Sequence, residues 1–228
     1  MLGEFLEISI ECKTVLQSVQ FFERLGFWQV STLDTWSHHY GVLTDGRVHL
    51  GLHGYEFPSP SLTFVARDLA NRVPILRDIG IEFEFCKLEI DGFHEAGFFD
   101  PDGHMVCLLE ARTYTPAETG NDRASVCGFF TDYCLPARNA AESLTYWEKL
   151  GMLPGESGNG IATAHATGIN LCFDENHRLR NPLLRFEHPD INKLAEELEQ
   201  RDVKYRKESG KSLRIPAPEI PDLLIQQS

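Results

Sequence analysis

The chain has little positive charge for its length. Its 228 residues include 21 Lys and Arg but 34 Asp and Glu, so the formal net charge is 21 − 34 = −13. A surface of that sign repels a phosphate backbone or an anionic membrane unless a basic patch offsets it. The densest basic segment, Lys204 to Lys211, contains Glu208 and forms no such patch. We therefore expect neither nucleic acid nor membrane among the partners of this chain.

Long apolar runs and export signals are also missing. No uninterrupted apolar run approaches the ~20 residues that span a bilayer. The first residues, MLGEFLE, carry acidic but no basic side chains, which argues against a signal peptide. The cysteines form no C-x-x-C pair, which favours free thiols in a reducing compartment over a disulfide framework. These features predict a cytoplasmic protein whose six cysteines, at positions 12, 86, 107, 127, 134 and 172, are reduced.

Two common site motifs are absent as well. There is no G-x-x-x-x-G-K-S/T loop, and the glycine-rich segment 155–160 follows a predicted helix instead of a strand, so it is not typical of a phosphate site. There is no G-x-S-x-G element. A serine, histidine and aspartate triad is assembled in space without fixed spacing, so that alternative stays open at this point.

What the sequence does contain is an internal repeat. Residues 21–27, FFERLGF, align with residues 146–152, YWEKLGM, at an offset of 146 − 21 = 125, and the same offset places Ser18 on Ser143. Residues 61–68 align with residues 183–190 at an offset of 122. An aperiodic segment with Pro and Gly at 113–124 is typical of a linker between the copies. We predict two tandem domains, residues 1–115 and 124–228.

Each half contains the same order of periodic segments. Residues 5–11 alternate as a strand does, and Val15, Val19 and Phe22 recur at helical spacing. Three short strand segments follow, with a turn at Asp45-Gly46 between the last two. This βαβββ order then repeats, so the sequence predicts four such modules and an α+β fold. Two modules side by side would form a curled, eight-stranded sheet with a concave face, where ligand sites are commonly found.

Two motifs add a family resemblance. Ser18 to Phe27 reads S-x-x-F-F-E-x-L-G-F, and Asp100 to Glu110 joins a D-P-D-G-H turn to an L-L-E strand. Both are similar to segments of the glyoxalase, bleomycin-resistance and extradiol-dioxygenase superfamily, which has the vicinal oxygen chelate fold. The resemblance covers almost the whole chain, twice, and implies two tandem glyoxalase-like domains. It does not choose among the isomerases, dioxygenases, epimerases, thiol transferases and drug-binding proteins of that superfamily.

The resemblance also implies where a metal would be bound. Members of the superfamily usually hold one divalent ion through His and Glu at four positions, and Zn, Fe, Ni or Mn suit such ligands. In the first half these positions are Glu7, His49, Ser61 and Cys107. Glu7 and His49 are ligand types, and a thiolate at Cys107 would be a third. The predicted metal ligands are therefore Glu7, His49 and Cys107, and the alternative is a hydrogen-bonded Glu7–His49 pair without metal.

The second half departs further from the pattern. Its corresponding positions are Asp132, Asn170, Leu183 and Leu224, and the two leucines cannot ligate a cation. We expect this half to act as a scaffold or a lid. Asp132 and Asn170, together with Ser61 of the first half, are predicted to contact polar groups of a small molecule in the cleft.

Two classes of function follow from these positions. Six of the eight usual ligand positions are not His or Glu, which favours small-molecule binding in an apolar cleft with an incomplete metal site. The pair Glu7 and His49 instead favours a metal-dependent lyase, isomerase or dioxygenase that acts on a small oxygen-bearing substrate. The sequence leaves open whether the first module faces the second or the fourth, and whether the protein is a monomer or a homodimer.

Overall fold

The computed structural model describes residues 1–31, 38–89, 93–111, 125–176, 179–217, 219 and 221–228. The predicted linker at 113–124 lies outside these residues. Within the described part of the chain, no helix is both long enough and apolar enough to cross a membrane.

The first half folds as two βαβββ modules. Module 1 contains β1 (Glu4–Glu11), α1 (Val15–Arg24), β2 (Trp28–Val30), β3 (Tyr40–Thr44) and β4 (His49–His53). Module 2 contains β5 (Ser61–Ala66), α2 (Leu69–Asp78), β6 (Phe85–Lys87), β7 (Glu95–Phe99) and β8 (Met105–Glu110). Their strands form one eight-stranded sheet in the order β2-β3-β4-β1-β5-β8-β7-β6, in which β5 and β8 are parallel.

The second half repeats this arrangement. Module 3 contains β9 (Phe129–Pro136), α3 (Ala140–Lys149), β10 (Leu153–Gly158), β11 (Ile161–Ala166) and β12 (Ile169–Asp174). Module 4 contains β13 (Leu183–His188), α4 (Ile191–Gln200), β14 (Arg206–Ser209), β15 (Ser212–Ile215) and β16 (Asp222–Gln227). The sheet order β10-β11-β12-β9-β13-β16-β15-β14 is the first order with every strand number raised by eight. The predicted duplication and the α+β class are confirmed, and neither sheet closes on itself.

Each helix covers one face of its sheet with an apolar stripe. In module 1, a Cβ added at Gly41 would lie 3.7 Å from Val15 Cγ1 and 3.9 Å from Val19 Cγ2, so α1 packs on the face to which residue 41 belongs. Phe22, on the same stripe, is fully buried. The periodicity that predicts α1 therefore also identifies the side of the helix that contacts the sheet.

The starts of the helices are stabilised in two different ways. The sequence favours Thr14 and Asp68 as N-caps, but neither side chain makes a capping hydrogen bond. In α2 a distant residue takes this role, because Glu110 Oε2 accepts a hydrogen bond from the backbone N–H of Leu69 at 2.8 Å. In α3 and α4 the local caps Asn139 and Asp190 each accept two backbone N–H bonds.

Contacts divide the chain into two compact units that do not follow its two halves. The first compact unit comprises Met1–Ile8, Pro58–Pro116 and Leu135–Arg180, so it joins most of module 2 to most of module 3. Within it, Trp147 Nε1 donates to Asp100 Oδ2 at 3.3 Å, and His104 Nε2 lies 2.8 Å from the carbonyl oxygen of Pro136.

The second compact unit comprises Ser9–Phe57, Ala117–Cys134 and Asn181–Ser228. It joins module 1 to module 4, which is one of the two arrangements that the sequence leaves open. Within it, the backbone N–H of Lys13 donates to Glu219 Oε2 at 3.1 Å. The rings of Phe27 and Phe186 meet edge to face with their centroids 6.4 Å apart.

Candidate functional site

The helix of module 2 shows which side of its strands each residue faces. Because Glu110 reaches the first residue of α2, the α2 side of β8 is the side of Glu110. Val106 and Leu108 share that side by strand alternation and are fully buried. Cys107 therefore lies on the opposite side. We call the face of the module 2 strands opposite α2 the distal face.

Four residues form a row across this distal face. Thr63, Cys107, Gly97 and Phe85 are successive Cα partners on β5, β8, β7 and β6. Ser61 precedes Thr63 by two residues, so it shares the same face. The row and Ser61 together offer two hydroxyl groups, a thiol and an aromatic ring, and none of these groups carries a formal charge when the thiol is protonated.

Two predicted site residues, Ser61 and Cys107, are brought together here. Ser61 is 1% exposed. Burial raises the pKa of Cys107 from 9.0 to about 11, while a hydrogen bond with the Ser61 hydroxyl acts in the lowering direction and the Glu95 carboxylate in the raising direction. The thiol therefore keeps its proton at neutral pH, and the two residues form a neutral polar pair.

The other two predicted metal ligands lie on β1 and β4. Glu7 is 2% exposed and belongs to the first compact unit with Cys107, whereas His49 is partly exposed and belongs to the second. Among the residues that the structure describes, no group of three or more His, Cys, Asp and Glu side chains could hold a metal ion. A centre with three protein ligands therefore does not fit this donor set. The metal role of Glu7, His49 and Cys107 stays a prediction.

In the second half, Asp132 is bound to an arginine. Nε and Nη2 of Arg185 lie 3.0 Å and 2.6 Å from Asp132 Oδ2, and Asp132 is buried. The two residues are Cα partners on β9 and β13. The carboxylate that we expect to contact a small molecule is thus held by an internal cation, and its contact with a ligand stays a prediction.

The Asp132–Arg185 pair begins a charged row in module 4. The row continues on β16, β15 and β14 through Leu224, Arg214 and Arg206. Glu208 and Asp222 pair with the last two arginines, so three arginines face three carboxylates along this row. The equivalent row on β5, β8, β7 and β6 carries no formal charge, although Asp132 itself corresponds to the acidic Glu7 of β1. The two rows therefore differ in charge on these four strands.

Asn170 also has a partner within its own module. Its side-chain oxygen Oδ1 lies 2.9 Å from His165 Nδ1, and the two residues are Cα partners on β12 and β11. An amide oxygen only accepts, so Nδ1 of His165 carries the proton and donates it. The contact of Asn170 with a ligand stays a prediction.

A histidine pair in the second compact unit has no signal in the spacing of the sequence. His38 Nε2 lies 3.1 Å from His53 Nδ1, with the ring centroids 5.4 Å apart, so the rings meet head to head in one N–H···N hydrogen bond. The rings of Tyr40, Tyr55 and Phe57 lie 4.2–5.7 Å from these imidazoles. Burial, together with the neighbouring His53 and His39, lowers the pKa of His38. The neutral form of His38 is therefore favoured, and one of the two facing nitrogens carries the proton of the shared bond.

Sequence reasoning missed Phe85, Gly97 and Arg185. A signal existed for Gly97, since a glycine inside a strand often marks the close approach of another group. Arg185 lies between the apolar residues Leu184 and Phe186 of β13, which is a sign that a buried charge is paired. Phe85 gave no signal, because its position depends on the pairing of β6 with β7.

Comparison with known proteins identifies the fold. No protein-family model and no curated protein sequence matches the chain. A catechol 2,3-dioxygenase structure gives a TM-score of 0.63 at 14% identity, covering 100% of this chain and 88% of that chain. A variant of homoprotocatechuate 2,3-dioxygenase from Brevibacterium fuscum gives a TM-score of 0.64 at 14% identity, and the match covers 100% of this chain and 72% of that chain. A halotolerant catechol dioxygenase gives a TM-score of 0.60 at 12% identity, and the match covers 100% of this chain and 87% of that chain. At these identities the similarity concerns the fold.

Proposed function

We propose that this chain, which has the vicinal oxygen chelate fold, binds a small aromatic molecule with adjacent oxygen atoms through neutral groups on the distal face of module 2. The observation that carries the proposal is the pairing of the buried Ser61 hydroxyl with the protonated Cys107 thiol on one face of the sheet. A hydroxyl has two acceptor lone pairs and one proton, and a thiol has a weak donor. A ligand oxygen could therefore share these hydrogen-bonding groups.

The structures with the same fold support the choice of ligand. They are dioxygenases of catechol and of homoprotocatechuate, which are aromatic rings with two adjacent hydroxyl groups. Such a ring presents two oxygen atoms on one edge, and Ser61 and Cys107 offer two polar hydrogens on one face. The ring itself would lie against apolar groups of the face, as is usual in small-molecule sites.

Substitution of Ser61 by alanine tests the proposal. We expect Ser61→Ala to bind catechol about fivefold more weakly than the wild type in a calorimetric titration, because one hydrogen bond contributes about 1 kcal/mol. The midpoint of unfolding of the same variant in urea should stay close to that of the wild type, because only one hydroxyl group is removed. A loss of catechol affinity without a matching loss of stability separates a ligand-binding role from a purely structural one.

Ser157→Ala is the matched control, because Ser157 lies on β10 and is exposed. It should bind catechol like the wild type. Equal catechol affinity in wild type and Ser61→Ala, or no catechol binding by the wild type, would contradict the proposal.

A metal-dependent ring-cleaving dioxygenase is the second candidate function. It is favoured by the names of the structures that share the fold and by Glu7 and His49, which occupy two of the four positions where the superfamily usually places ligands. Elemental analysis of protein purified without a chelator distinguishes the two candidates. Stoichiometric Zn, Fe, Ni or Mn that is lost in His49→Ala would favour the dioxygenase, and substoichiometric metal in protein that binds catechol would favour our proposal.

A further inference from the structure

The histidine pair His38–His53 lies on the face of module 1 opposite its helix. Gly41 faces α1, so Tyr40, one residue earlier on β3, lies on the opposite face, and so does His53, its Cα partner on β4. His49 shares this face, but the four residues of strand between them separate the two Cα atoms by about 13 Å. The pair is therefore distinct from the superfamily ligand position at His49.

Backbone hydrogen bonds hold the chain at both members of the pair. The N–H of Cys12 donates to the carbonyl oxygen of His53, and the N–H of Gly54 donates to that of His39, each at 2.8 Å. His53 is 3% exposed, whereas His38 is partly exposed. One imidazole is thus held inside the compact unit, and solvent reaches the other.

Aromatic rings surround the two imidazoles. The ring centroid of Tyr55 lies 4.2 Å from that of His38, and the centroids of Tyr40 and Phe57 lie 4.6 Å and 5.5 Å from that of His53. Packing of this kind limits rotation of the imidazole rings. In metal sites, the groups around the ligands orient the imidazoles and control the access of water.

The distance between the facing nitrogens is that of two ligands of one metal ion. His38 Nε2 lies 3.1 Å from His53 Nδ1. Two imidazole nitrogens that bind one ion at about 2.0–2.1 Å in neighbouring positions lie roughly 2.8–3.4 Å apart. Binding of an ion by this pair therefore requires rotation of the two rings and no change of the backbone.

We infer that His38 and His53 bind a divalent transition-metal ion, with Cu²⁺ preferred to Zn²⁺ in the usual order of affinity. The proton of the shared hydrogen bond moves to the other nitrogen of the same ring, so both facing nitrogens present lone pairs and no proton is lost. Within the described part of the chain no group of three or more His, Cys, Asp and Glu side chains could hold an ion, so water completes the coordination. The formal net charge of −13 favours a cation.

This site does not depend on the proposed function. His38 and His53 belong to the second compact unit, whereas Ser61 and Cys107 belong to the first. His38→Gln should therefore leave the affinity for catechol unchanged. The ion should also remain bound in His49→Ala, which distinguishes this site from the metal centre of the second candidate function.

A calorimetric titration of Cu²⁺ into the intact, chelator-treated protein tests the inference. We expect His38→Gln to weaken the tightest Cu²⁺ site at least about tenfold, because loss of a group that only supports a ligand already costs about 10–100-fold. His39→Gln, at the neighbouring exposed histidine, is the matched control and should bind Cu²⁺ like the wild type. A midpoint of urea unfolding close to that of the wild type shows that metal-free His38→Gln is folded.

Electron paramagnetic resonance with one equivalent of Cu²⁺ counts the bound nitrogens. The wild type should show coupling to two imidazole nitrogens, and His38→Gln to one. Fewer than two couplings in the wild type would overturn the inference without any variant. Unchanged affinity in His38→Gln would also overturn it, and so would an equal loss in His39→Gln, which would mean that exposed histidines hold the ion.

Discussion

Single residues decide whether the distal face of module 2 is suited to a cation or to a neutral ligand. Burial raises the pKa of Cys107 to about 11, so at pH 7 its thiolate is rare. A metal ion at this position would first have to displace that proton. Ser61 beside it supplies a hydroxyl, which is a weak metal ligand but a good hydrogen-bond donor. Both residues thus favour hydrogen bonding to an uncharged molecule.

A second residue pair makes stability depend on pH. Glu110 and the carbonyl oxygen of Glu89 raise the pKa of His94 above its ordinary 6.5, and His94 Nδ1 lies 3.1 Å from Glu110 Oε2. Burial opposes ionisation of Glu110, but His94 and the N–H groups of Leu69 and Ala70 outweigh it and lower the pKa of Glu110 below 4.5. The stabilisation from His94 is fully present below pH 6.5 and is lost as pH rises through its raised pKa. The stabilisation from Glu110 is present above pH 4.5 and is lost as pH falls through the lowered pKa of its carboxyl group.

We therefore predict that His94→Gln destabilises the protein most between about pH 4.5 and 6.5. The free energy of unfolding of wild type and variant in urea, measured across pH 4.5–8.5, gives the difference at each pH. The difference should shrink above pH 6.5. His39→Gln, at an exposed histidine, is the control and should show no such trend. A difference that stays constant or grows above pH 6.5 would show that the His94–Glu110 pair has another role.

At the scale of elements, the turn before β8 and the turn before β16 each place an acidic side chain at the start of a helix, but with different residues. Asp102 Oδ1 accepts a hydrogen bond from the backbone N–H of Arg138 at 2.9 Å, and Asp102 Oδ2 accepts one from the Ser143 hydroxyl. Glu219 accepts the equivalent bond from Lys13, since 138 − 13 = 125 is the offset of the repeat. The second turn has lost its glycine but keeps the acidic contact at the start of a helix.

These two contacts should differ in strength. Asp102→Ala is expected to lower the free energy of unfolding by about 1–2 kcal/mol, because its carboxylate serves a helix start. Its side chain is 6% exposed, whereas that of Glu219 is 37% exposed, so water can replace the Glu219 contact more readily. Glu219→Ala should therefore destabilise less. Urea unfolding of both variants measures the two losses, and an equal or larger loss for Glu219→Ala would contradict this ranking.

The order of the elements could be predicted because hydrophobic periodicity is local, but some boundaries could not. Alternation favours a strand from Ile81 to Cys86, whereas β6 spans Phe85–Lys87. Its extent is set by pairing with Glu95–Gly97 of β7, and that partner is distant in sequence. The residue that stabilises the start of α2 could not be predicted for the same reason. Glu110, which accepts the hydrogen bond from the N–H of Leu69, lies 41 residues from it in sequence.

For the site, the resemblance places Ser61 at the start of one strand and Cys107 in the middle of another, and the structure brings them together because β5 and β8 are neighbours in the sheet. The protonation of Cys107 could not be predicted, because it depends on burial and on Glu95. The Asp132–Arg185 pair and the Phe85 ring over Gly97 depend on strand register, which a single sequence does not reveal.

At the scale of the whole molecule, each compact unit takes helices and strands from both halves of the repeat. The first unit contains α2 from one half and α3 from the other, and the second contains α1 and α4. Trp147 of the second half, for example, is fully buried and bonds to Asp100 of the first. A half-chain would therefore lack part of the core of both units.

We predict that residues 1–115 expressed alone show no cooperative unfolding transition by circular dichroism. Co-expression with residues 116–228 should restore a transition, because the missing core residues are then supplied by the second fragment. The intact chain is the control. A cooperative transition in either half alone would instead support the division at residues 115 and 124 as a division into independent domains.

We propose that neutral groups, and not a metal, bind the ligand. The most direct test is a calorimetric titration of catechol into the intact protein after treatment with a chelator, with the metal content of the same sample measured by elemental analysis. We predict saturable binding at one site per chain in metal-free protein. Binding that is absent in metal-free protein and appears on addition of one equivalent of Zn, Fe, Ni or Mn would contradict it.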